Sequence, residues 1–219
     1  PTQRIILTGN VEMDKYFKKD IKGYNLFNIN KTNKKAKILF ASQPYVHGAF
    51  TSKSKRKLCI SQIYFELRKM TEVADILIKP HPNENLNELK KINYFSNKFI
   101  IFNNNKPIAE LIEECDVFIT MFSTSALNSM CAGKPVLIVD FADTISHSEY
   151  RNSNSVWIAK TSNELKKILF DLLTSNISDD ELTKKNKARK KYISERCYAN
   201  DGKSANRVSQ LILSMINLR

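Results

Sequence analysis

The stretch that decides the fold is residues 116–140, DVFITMFSTSALNSMCAGKPVLIVD. It contains two short apolar runs, residues 117–119 and 136–139, which have the length of buried parallel strands. Between the runs lie three adjacent hydroxyl residues at 123–125 and a short helical segment that ends at Gly133. The stretch therefore predicts strand, turn, helix and strand. A phosphate at this turn would meet hydroxyl groups, free amide N–H groups and the positive end of the helix dipole.

The remainder of the chain alternates between strand-like and helix-like segments in the same way. Strands are predicted at residues 38–41, 75–79, 99–102 and 156–158, and helices at residues 58–73, 84–91, 107–114, 163–173, 179–191 and 205–216. Residues 141–155 are predicted to form a long loop. Strands separated by helices indicate βαβ units. We therefore expect an α/β fold, a Rossmann-like parallel sheet with helices on both faces and additional C-terminal helices.

Four parts of the chain are expected. Residues 1–21 are predicted to form an interdomain strand (residues 4–7) and a helix (residues 12–19), and the Lys- and Asn-rich residues 22–37 are predicted to form a linker. Residues 38–192 are expected to be the Rossmann-like nucleotide-binding domain. Residues 193–219 are expected to form a C-terminal helix that packs towards a domain outside this chain. The chain begins at Pro1 without an initiator Met, so we expect that the natural protein has residues upstream.

The composition and net charge of the chain limit the kinds of partner that we expect it to bind. The 219 residues are 42% hydrophobic, which is enough for a sizeable core, and carry a formal net charge of +13. This positive charge favours nucleotides, nucleic acid or an anionic lipid surface as binding partners. The alternative for part of the charge is a general compositional bias of the source genome. The four cysteines form no C-x-x-C pair, so we expect no metal site. No apolar run is long enough to span a bilayer, so we expect a cytoplasmic protein whose membrane contact, if any, is peripheral.

Two turns that follow predicted strands carry the candidate site residues. In the first turn, Lys79 and His81 alternate with two prolines, Pro80 and Pro82, which stiffen the backbone around a single imidazole. The imidazole could donate a hydrogen bond to a phosphate oxygen, and Lys79 could neutralise its charge. The alternative is that this Pro-His-Pro sequence only ends a strand.

The second turn offers Thr120, Ser123, Thr124 and Ser125 as phosphate contacts. The alternative is helix capping without a ligand, although three adjacent hydroxyl groups exceed what one cap needs. Ligands of open α/β sheets bind at the carboxyl ends of the strands, so both turns are expected at one edge of the sheet. His47 is a weaker candidate in a polar loop, and the basic residues 53–57 are either a solvated face or an attraction for an anionic acceptor or membrane.

Several motifs together resemble the C-terminal half of a GT-B glycosyltransferase. They are residues 8–10 (TGN) with Asp14, residues 79–82 (KPHP), residues 116–120 (DVFIT) followed by 123–125 (STS), residues 133–136 (GKPV) and residues 201–207 (DGKSANR). The resemblance covers nearly the whole chain. It is closest to the surface-polysaccharide group that includes capsule polysaccharide transferases, CDP-glycerol glycerophosphotransferases and sialyltransferases with a His-Pro motif.

This resemblance implies an enzyme domain for the synthesis of cell-surface polysaccharide or glycoconjugate. The implied substrate is a nucleotide-activated donor, with CMP- or CDP-linked donors preferred and UDP-linked donors possible, and no separate cofactor or metal. His81 and Pro82, together with Ser123, Thr124 and Ser125, would hold the donor phosphate, and His81 would stabilise the departing phosphate. Asn128 stands where many GT-B enzymes have an acidic residue that holds the ribose. The acceptor, a glycan or glycolipid, and the general base would belong to an N-terminal domain.

Three alternatives remain at the level of sequence. A UDP-N-acetylglucosamine 2-epimerase resembles the same fold, but residues 123–129 lack the adjacent carboxylates usual in those enzymes. A non-catalytic nucleotide-binding or scaffold module would explain the uncharged Asn128. Binding of nucleic acid would depend on the net charge alone, since no basic-aromatic pattern accompanies it, and is not expected.

Overall fold

The computed structural model describes residues 5–17, 23–24, 26, 30–31, 33–44, 52–102, 106–141, 148–199 and 201–216. The strands are β1 (Ala36–Ala41), β2 (Ala74–Lys79), β3 (Ile100–Ile101), β4 (Val117–Thr120), β5 (Val136–Val139) and β6 (Trp157–Ala159). The helices are α1 (Lys53–Lys69), α2 (Leu86–Lys90), α3 (Ile108–Glu114), α4 (Ser125–Cys131), α5 (Ser148–Ser153), α6 (Ser162–Thr174), α7 (Asp179–Cys197) and α8 (Ser204–Ile216). A 3₁₀-helix at Val11–Tyr16 precedes them.

The strands form a six-stranded sheet in the order β3-β2-β1-β4-β5-β6, and every pair that the structure describes is parallel. This confirms the predicted Rossmann-like α/β fold. The chain continues from β1 to β2 and β3 on one side of β1, and later forms β4, β5 and β6 on the other side of β1. The crevice at this reversal of strand order is where ligands bind in open α/β sheets.

Alternate residues of the strands point to opposite faces of the sheet, and both faces are buried. On one face, Ile38 and Phe40 of β1 belong to a core with residues of α1 and α6. On the other face, Leu39 and Ala41 belong to a second core with residues of α3, α4 and α7. The strands are apolar on both sides for this reason, which explains why they read as continuous apolar runs.

Helix α1 begins at Lys53, five residues earlier than the apolar pattern predicts. Its N-cap is Ser52, whose side chain accepts a hydrogen bond from the N–H of Lys55. The basic residues 53–57 therefore form the first turns of a helix. The prediction began at Leu58, the first apolar residue of the pattern, and overlooked the Ser cap that precedes the basic cluster.

The predicted N-terminal strand is wrong for residues 5–7. These residues lie in no strand, and Ile5 is 90% exposed. A strand needs a neighbour to pair with, and within the described ranges the sheet ends at β3 and β6. The helix predicted at residues 12–19 is the shorter 3₁₀-helix.

Two other boundaries differ from the expectation. The predicted linker is packed against the core at Tyr24, which contacts the ring of Trp157 and whose hydroxyl donates to the carbonyl of Ser155 at 3.3 Å, whereas residues 30–31 and 33–35 are exposed. The boundary predicted at residue 192 falls inside α7. The loop predicted at residues 141–155 contains α5, a helix of only six residues that the polar sequence did not reveal.

Candidate functional site

The two predicted turns leave neighbouring parts of the same sheet edge. Ala41, the last residue of β1, is in register with Lys79 of β2 on one side and with Thr120 of β4 on the other. We call residues 81–84 the His turn and residues 123–125 the hydroxyl turn. Since one strand separates β2 from β4, their ends lie about 10 Å apart, twice the spacing between neighbouring strands. A ligand with one or two phosphates can bridge this distance.

Hydrogen bonds within the His turn orient the imidazole. The N–H of Glu84 donates to the carbonyl of His81 at 2.9 Å and closes the turn. The N–H of Asn83 donates to Nδ1 of His81 at 3.1 Å. Because Nδ1 is an acceptor, the neutral ring carries its proton on Nε2. The exposed His81 side chain therefore presents an N–H donor on the nitrogen that this hydrogen bond leaves unoccupied.

The Glu84 carboxylate holds the backbone of the His turn in place, and the Glu84 side chain is only 2% exposed. Its Oε2 accepts from the N–H of His81 at 2.7 Å and from the hydroxyl of Ser42 at 2.5 Å. Its Oε1 pairs with Nη2 of Arg56. Both oxygens of a buried carboxylate are thus satisfied, which is the condition for keeping a charge away from water.

The hydroxyl turn differs from its prediction in one respect. Free amide N–H groups were expected there, but the N–H of Ser125 donates to Oγ of Ser123 at 3.1 Å, and the N–H of Ala126 donates to the carbonyl of Ser123 at 3.1 Å. Oγ of Ser123 accepts one hydrogen bond and still has its own O–H to donate. Thr124 is exposed, and its side chain makes no capping hydrogen bond. The hydroxyl groups of Ser123 and Thr124 are therefore donors that the turn can offer to an anion.

Gln43 supports the hydroxyl turn from the loop that follows β1. Its Oε1 accepts from the N–H of Phe122 at 2.6 Å and from Oγ1 of Thr120 at 3.4 Å. Thr120 also donates to the carbonyl of Ala41 at 3.0 Å and is fully buried. Burial places Thr120 beneath the candidate site. A direct contact between Thr120 and a phosphate stays a prediction that this placement does not favour.

Lys79 and Asn128 also have partners within the protein. Nζ of Lys79 donates to the carbonyl of Lys106 at 2.9 Å, and burial lowers the pKa of this amine. Nδ2 of Asn128 donates to the hydroxyl of Tyr16 at 3.0 Å, and Asn128 is buried. The predicted phosphate contact of Lys79 and the predicted ribose contact of Asn128 stay predictions, and both side chains already join separate parts of the fold.

A cavity of about 430 Å³ adjoins the His turn between the first turns of α1 and helix α2. Its wall includes the cationic side chains of Lys53, Arg56, Lys57 and Lys91. His47 lies outside the described residues. Within those residues, no group of three or more His, Cys, Asp or Glu side chains is placed to hold a metal ion.

The motifs at the two ends of the chain meet in what we call the terminal junction, residues 8–17 with 198–207. The Asp14 carboxylate accepts from the N–H groups of Ser204 and Ala205, at the start of α8. Burial raises the pKa of Asp14, but the hydrogen bonds from these N–H groups lower it, and the pKa lies below its ordinary value. Arg207 pairs with Asp201 at 2.7 Å and donates from Nε to the carbonyl of Thr8 at 2.8 Å.

Gly9 is required at the terminal junction for two reasons. Its φ of +94° lies in the region that favours glycine, and a Cβ at this position would lie 2.5 Å from Oγ of Ser204. These motifs therefore hold the two ends of the chain against each other.

Three supporting residues were missed at the level of sequence: Gln43, Arg56 and Glu84. A signal existed for Gln43, because it follows the strand that lies between the two turns. Glu84 follows His81 by three residues, the spacing at which an acidic side chain can accept the N–H of the first residue of a turn. No signal identified Arg56, since its neighbours in sequence are exposed lysines.

The fold is a Rossmann-like α/β domain, and the candidate site lies at the carboxyl ends of its parallel strands. The chain belongs to the CDP-Glycerol:Poly(glycerophosphate) glycerophosphotransferase family, which matches residues 2–214. This confirms the resemblance that the motifs indicate and makes the chain a member of a transferase family. No curated protein is similar to it at the level of sequence.

Solved structures share the fold. S. aureus MnaA with UDP has a TM-score of 0.61 at 15% identity and covers 100% of this chain. The wall teichoic acid polymerase TagF with CDPG has a TM-score of 0.57 at 18% identity and covers 86%. The glycosyltransferase SnogD from Streptomyces nogalater has a TM-score of 0.54 at 14% identity and covers 96%. The chain spans 56%, 43% and 57% of the lengths of these proteins.

Proposed function

We propose that this chain is the donor-binding half of an enzyme that transfers glycerophosphate from a CDP-glycerol donor to a poly(glycerophosphate) acceptor. The observation that carries the proposal is the pair of turns flanking β1, with Nδ1 of His81 occupied by the N–H of Asn83 and Nε2 available as a donor. The family match supports this donor over a nucleotide-linked sugar. It also supports a cytidine base.

In the proposed reaction an acceptor hydroxyl attacks the phosphorus of the glycerophosphate unit. The bond from this phosphorus to the bridging oxygen breaks, and CMP leaves with the electron pair. His81 donates a hydrogen bond to an oxygen of the departing phosphate, and the hydroxyl groups of Ser123, Thr124 and Ser125 donate to its other oxygens. We assign the general base that takes the acceptor proton to a domain outside this chain. His81 is thus the catalytic residue that this half supplies.

The remainder of the enzyme would meet this half along its apolar surface. Helix α8 buries only Ser204, while its apolar residues Ile212, Leu213, Met215 and Ile216 are 52–61% exposed. Ile5 and Leu7 are exposed as well. Exposed apolar surface of this extent is typical of an interface. We therefore assign α8 to contact with an additional, acceptor-binding domain.

The acceptor is proposed to be a polyanion, and the charge of the chain suits one. The net charge is +13, and four cationic side chains line the cavity beside the His turn, against the two carboxylates of Glu84 and Glu88. The same cationic surface would support peripheral contact with an anionic membrane on the cytoplasmic side. Among the described residues, the helices are all too short or too polar to cross a bilayer.

Calorimetric titration with CDP, CMP, UDP and GDP tests the proposal. We expect CDP to bind more tightly than UDP or GDP. His81→Ala should weaken CDP binding about tenfold, since a charged hydrogen bond is lost. Asn87→Ala, an exposed position on α2 near the same turn, is the matched control and should bind CDP as the wild type does. Absence of nucleotide binding in the wild type would contradict the proposal and favour a scaffold role.

A second candidate is an epimerase that acts on UDP-N-acetylglucosamine. The likeness to S. aureus MnaA with UDP, at a TM-score of 0.61, favours it. The hydroxyl turn and α4 contain no Asp or Glu, which argues against it on the chemistry of the site. The same titration separates the two candidates, because an epimerase of this kind should bind UDP in preference to CDP.

A further inference from the structure

We propose that Arg56 is a positioning residue that couples the His turn to the hydroxyl turn. Its guanidinium holds Glu84 and the backbone of Gln43 at the same time, so that the direction of the His81 ring and the position of the hydroxyl turn are set together. The effect on donor binding depends on the function proposed above. The effect on the geometry of the two turns does not.

Arg56 reaches both turns from helix α1. Its Nη2 donates to Oε1 of Glu84, and its Nε donates to the carbonyl of Gln43 at 2.7 Å. A guanidinium is planar, and its N–H groups point in fixed directions. The two acceptors are therefore held in a fixed relation to each other, which a flexible lysine could not achieve.

On one side of Arg56 the coupling passes through Glu84. With one oxygen occupied by Arg56, the other accepts from the N–H of His81 and from the hydroxyl of Ser42. The carboxylate thus fixes the backbone of His81, and the closed turn places the N–H of Asn83 on Nδ1. Loss of this arrangement would allow the proton to occupy either ring nitrogen.

On the other side of Arg56 the coupling passes through Gln43. Arg56 fixes the backbone of Gln43, whose side chain then accepts from the N–H of Phe122, the residue directly before the hydroxyl turn. Gln43 is 7% exposed, so its amide has little access to water as an alternative partner. Movement of the Gln43 backbone would therefore move the start of the hydroxyl turn.

The ion pair is poorly explained as a device for stability alone. The side chains of Arg56 and Glu84 are 14% and 2% exposed, and burial of two charges costs about as much as their attraction returns. Apolar side chains at these positions would pack without that cost. Within the described residues, the Arg56 side chain donates to Glu84 and to Gln43, and each of these two residues sets one of the two turns.

The decisive variant is Arg56→Lys, which keeps the positive charge and removes the planar guanidinium that contacts both acceptors. Its matched control is Arg68→Lys, at an exposed position later on the same helix. At about pH 8, where histidine side chains are ordinarily neutral, long-range ¹H–¹⁵N correlations report which ring nitrogen of His81 carries the proton. Hydrogen exchange of the Phe122 amide reports the second turn.

We expect Arg56→Lys to lower the share of the Nε2–H tautomer and to speed exchange of the Phe122 amide, with both unchanged in Arg68→Lys. The affinity for CDP should fall about tenfold. A lower melting temperature with an unchanged tautomer and unchanged exchange would overturn the proposal, because that is the result of a merely structural role. Equal CDP affinity in wild type and Arg56→Lys would overturn it as well.

The NMR measurements also separate this proposal from the function proposed above. Should the wild type bind no CDP, the proposed function fails while the tautomer and the Phe122 exchange still decide the coupling. Should Arg56→Lys not fold, Glu84→Gln carries the same test, because it removes the charge that pairs with Arg56. An unchanged tautomer in Glu84→Gln would then overturn the proposal.

Discussion

The sheet edge and the terminal junction both carry motifs of the same family, yet the ion pairs that support them differ in exposure. At the sheet edge the supporting groups are buried: Thr120 is 0% exposed and the Glu84 side chain 2%. At the terminal junction the pair of Arg207 and Asp201 has side chains that are 25% and 39% exposed. The first region carries the candidate site, and the second holds the two ends of the chain together.

This difference teaches what a motif can and cannot indicate. Buried polar groups lose much when one partner is removed, since water cannot replace it, whereas exposed pairs are screened by solvent and salt. A motif residue at the sheet edge should therefore affect both stability and ligand binding. A residue at the terminal junction should affect stability alone, and by less. Four predictions test this contrast.

The largest effect is expected for Gln43→Met. The change keeps the length of the side chain and removes the side-chain acceptor of the Phe122 N–H, a part-buried hydrogen bond of 2.6 Å. We expect the free energy of unfolding to fall by about 2 kcal/mol, measured by urea unfolding. Gln62→Met, on the partly exposed side of α1, is the control and should be nearly neutral. A loss as small as that of the control would mean that the hydroxyl turn does not depend on Gln43.

The next largest effect is expected at the terminal junction, for Gly9→Ala. A side chain at a φ of +94° is strained, and the new Cβ would meet Oγ of Ser204 at 2.5 Å. We expect a loss of about 1–2 kcal/mol in unfolding free energy with no change in nucleotide affinity. Gly23→Ala is the control, because a Cβ there would meet only Nδ2 of Asn186 at 3.8 Å. A change in CDP affinity would place the terminal junction in the binding site.

The sequence was sufficient to predict the sheet and the edge at which the candidate site lies. Parallel strands end on one edge, so residues 79–82 and 123–125 had to lie on the same edge once βαβ units were recognised, and the strand order then sets the distance between them. The supports of that edge could not be predicted in the same way. Arg56, Glu84 and Gln43 come from three separate elements and meet only through tertiary packing, which periodicity does not report.

The differences between the sequence-based predictions and the structure also arise from contacts that form only in the folded chain. Residues 5–7 have strand-like composition, but composition does not supply a neighbouring strand. The phosphate contact of Thr120 stays a prediction, but the sequence did not reveal that this residue belongs to β4 and that its hydroxyl reaches the carbonyl of Ala41 inside the sheet. The N–H groups of Ser125 and Ala126 are paired by Ser123, because a serine before a helix satisfies the helix first.

A third prediction concerns the hydrogen bond that joins the two regions, from Nδ2 of Asn128 in α4 to the hydroxyl of Tyr16. Asn128→Ala and Tyr16→Phe each remove this bond. We expect each to lower the unfolding free energy by about 1 kcal/mol and the double variant to lose less than the sum. Strict additivity would mean that the bond contributes nothing.

The same two variants decide the role of Asn128 in recognition of the ribose. If Asn128 acts only through Tyr16, both variants should bind CDP equally well. If Asn128 contacts the ribose, Asn128→Ala should weaken CDP binding while Tyr16→Phe should not. Calorimetric titration of both variants separates these outcomes without a solved complex.

The smallest effect is expected for the exposed pair at the terminal junction, and it should depend on pH. The hydrogen bond from Arg207 lowers the pKa of Asp201 from 3.8 to about 2. Because the folded-state pKa lies below the ordinary value, the carboxylate stabilises the fold above pH 3.8, and this contribution is lost as the pH falls towards about 2. The melting temperature of Asp201→Asn should therefore lie slightly below that of the wild type at neutral pH, and the two should converge in acid. Arg207→Met should reduce the pH-dependent difference, leaving the part that comes from the N–H of Lys203, and high salt should reduce it as well, because the pair is exposed to solvent. A difference that persists unchanged at pH 2 would show that Asp201 acts through its backbone contacts and shape rather than through its charge.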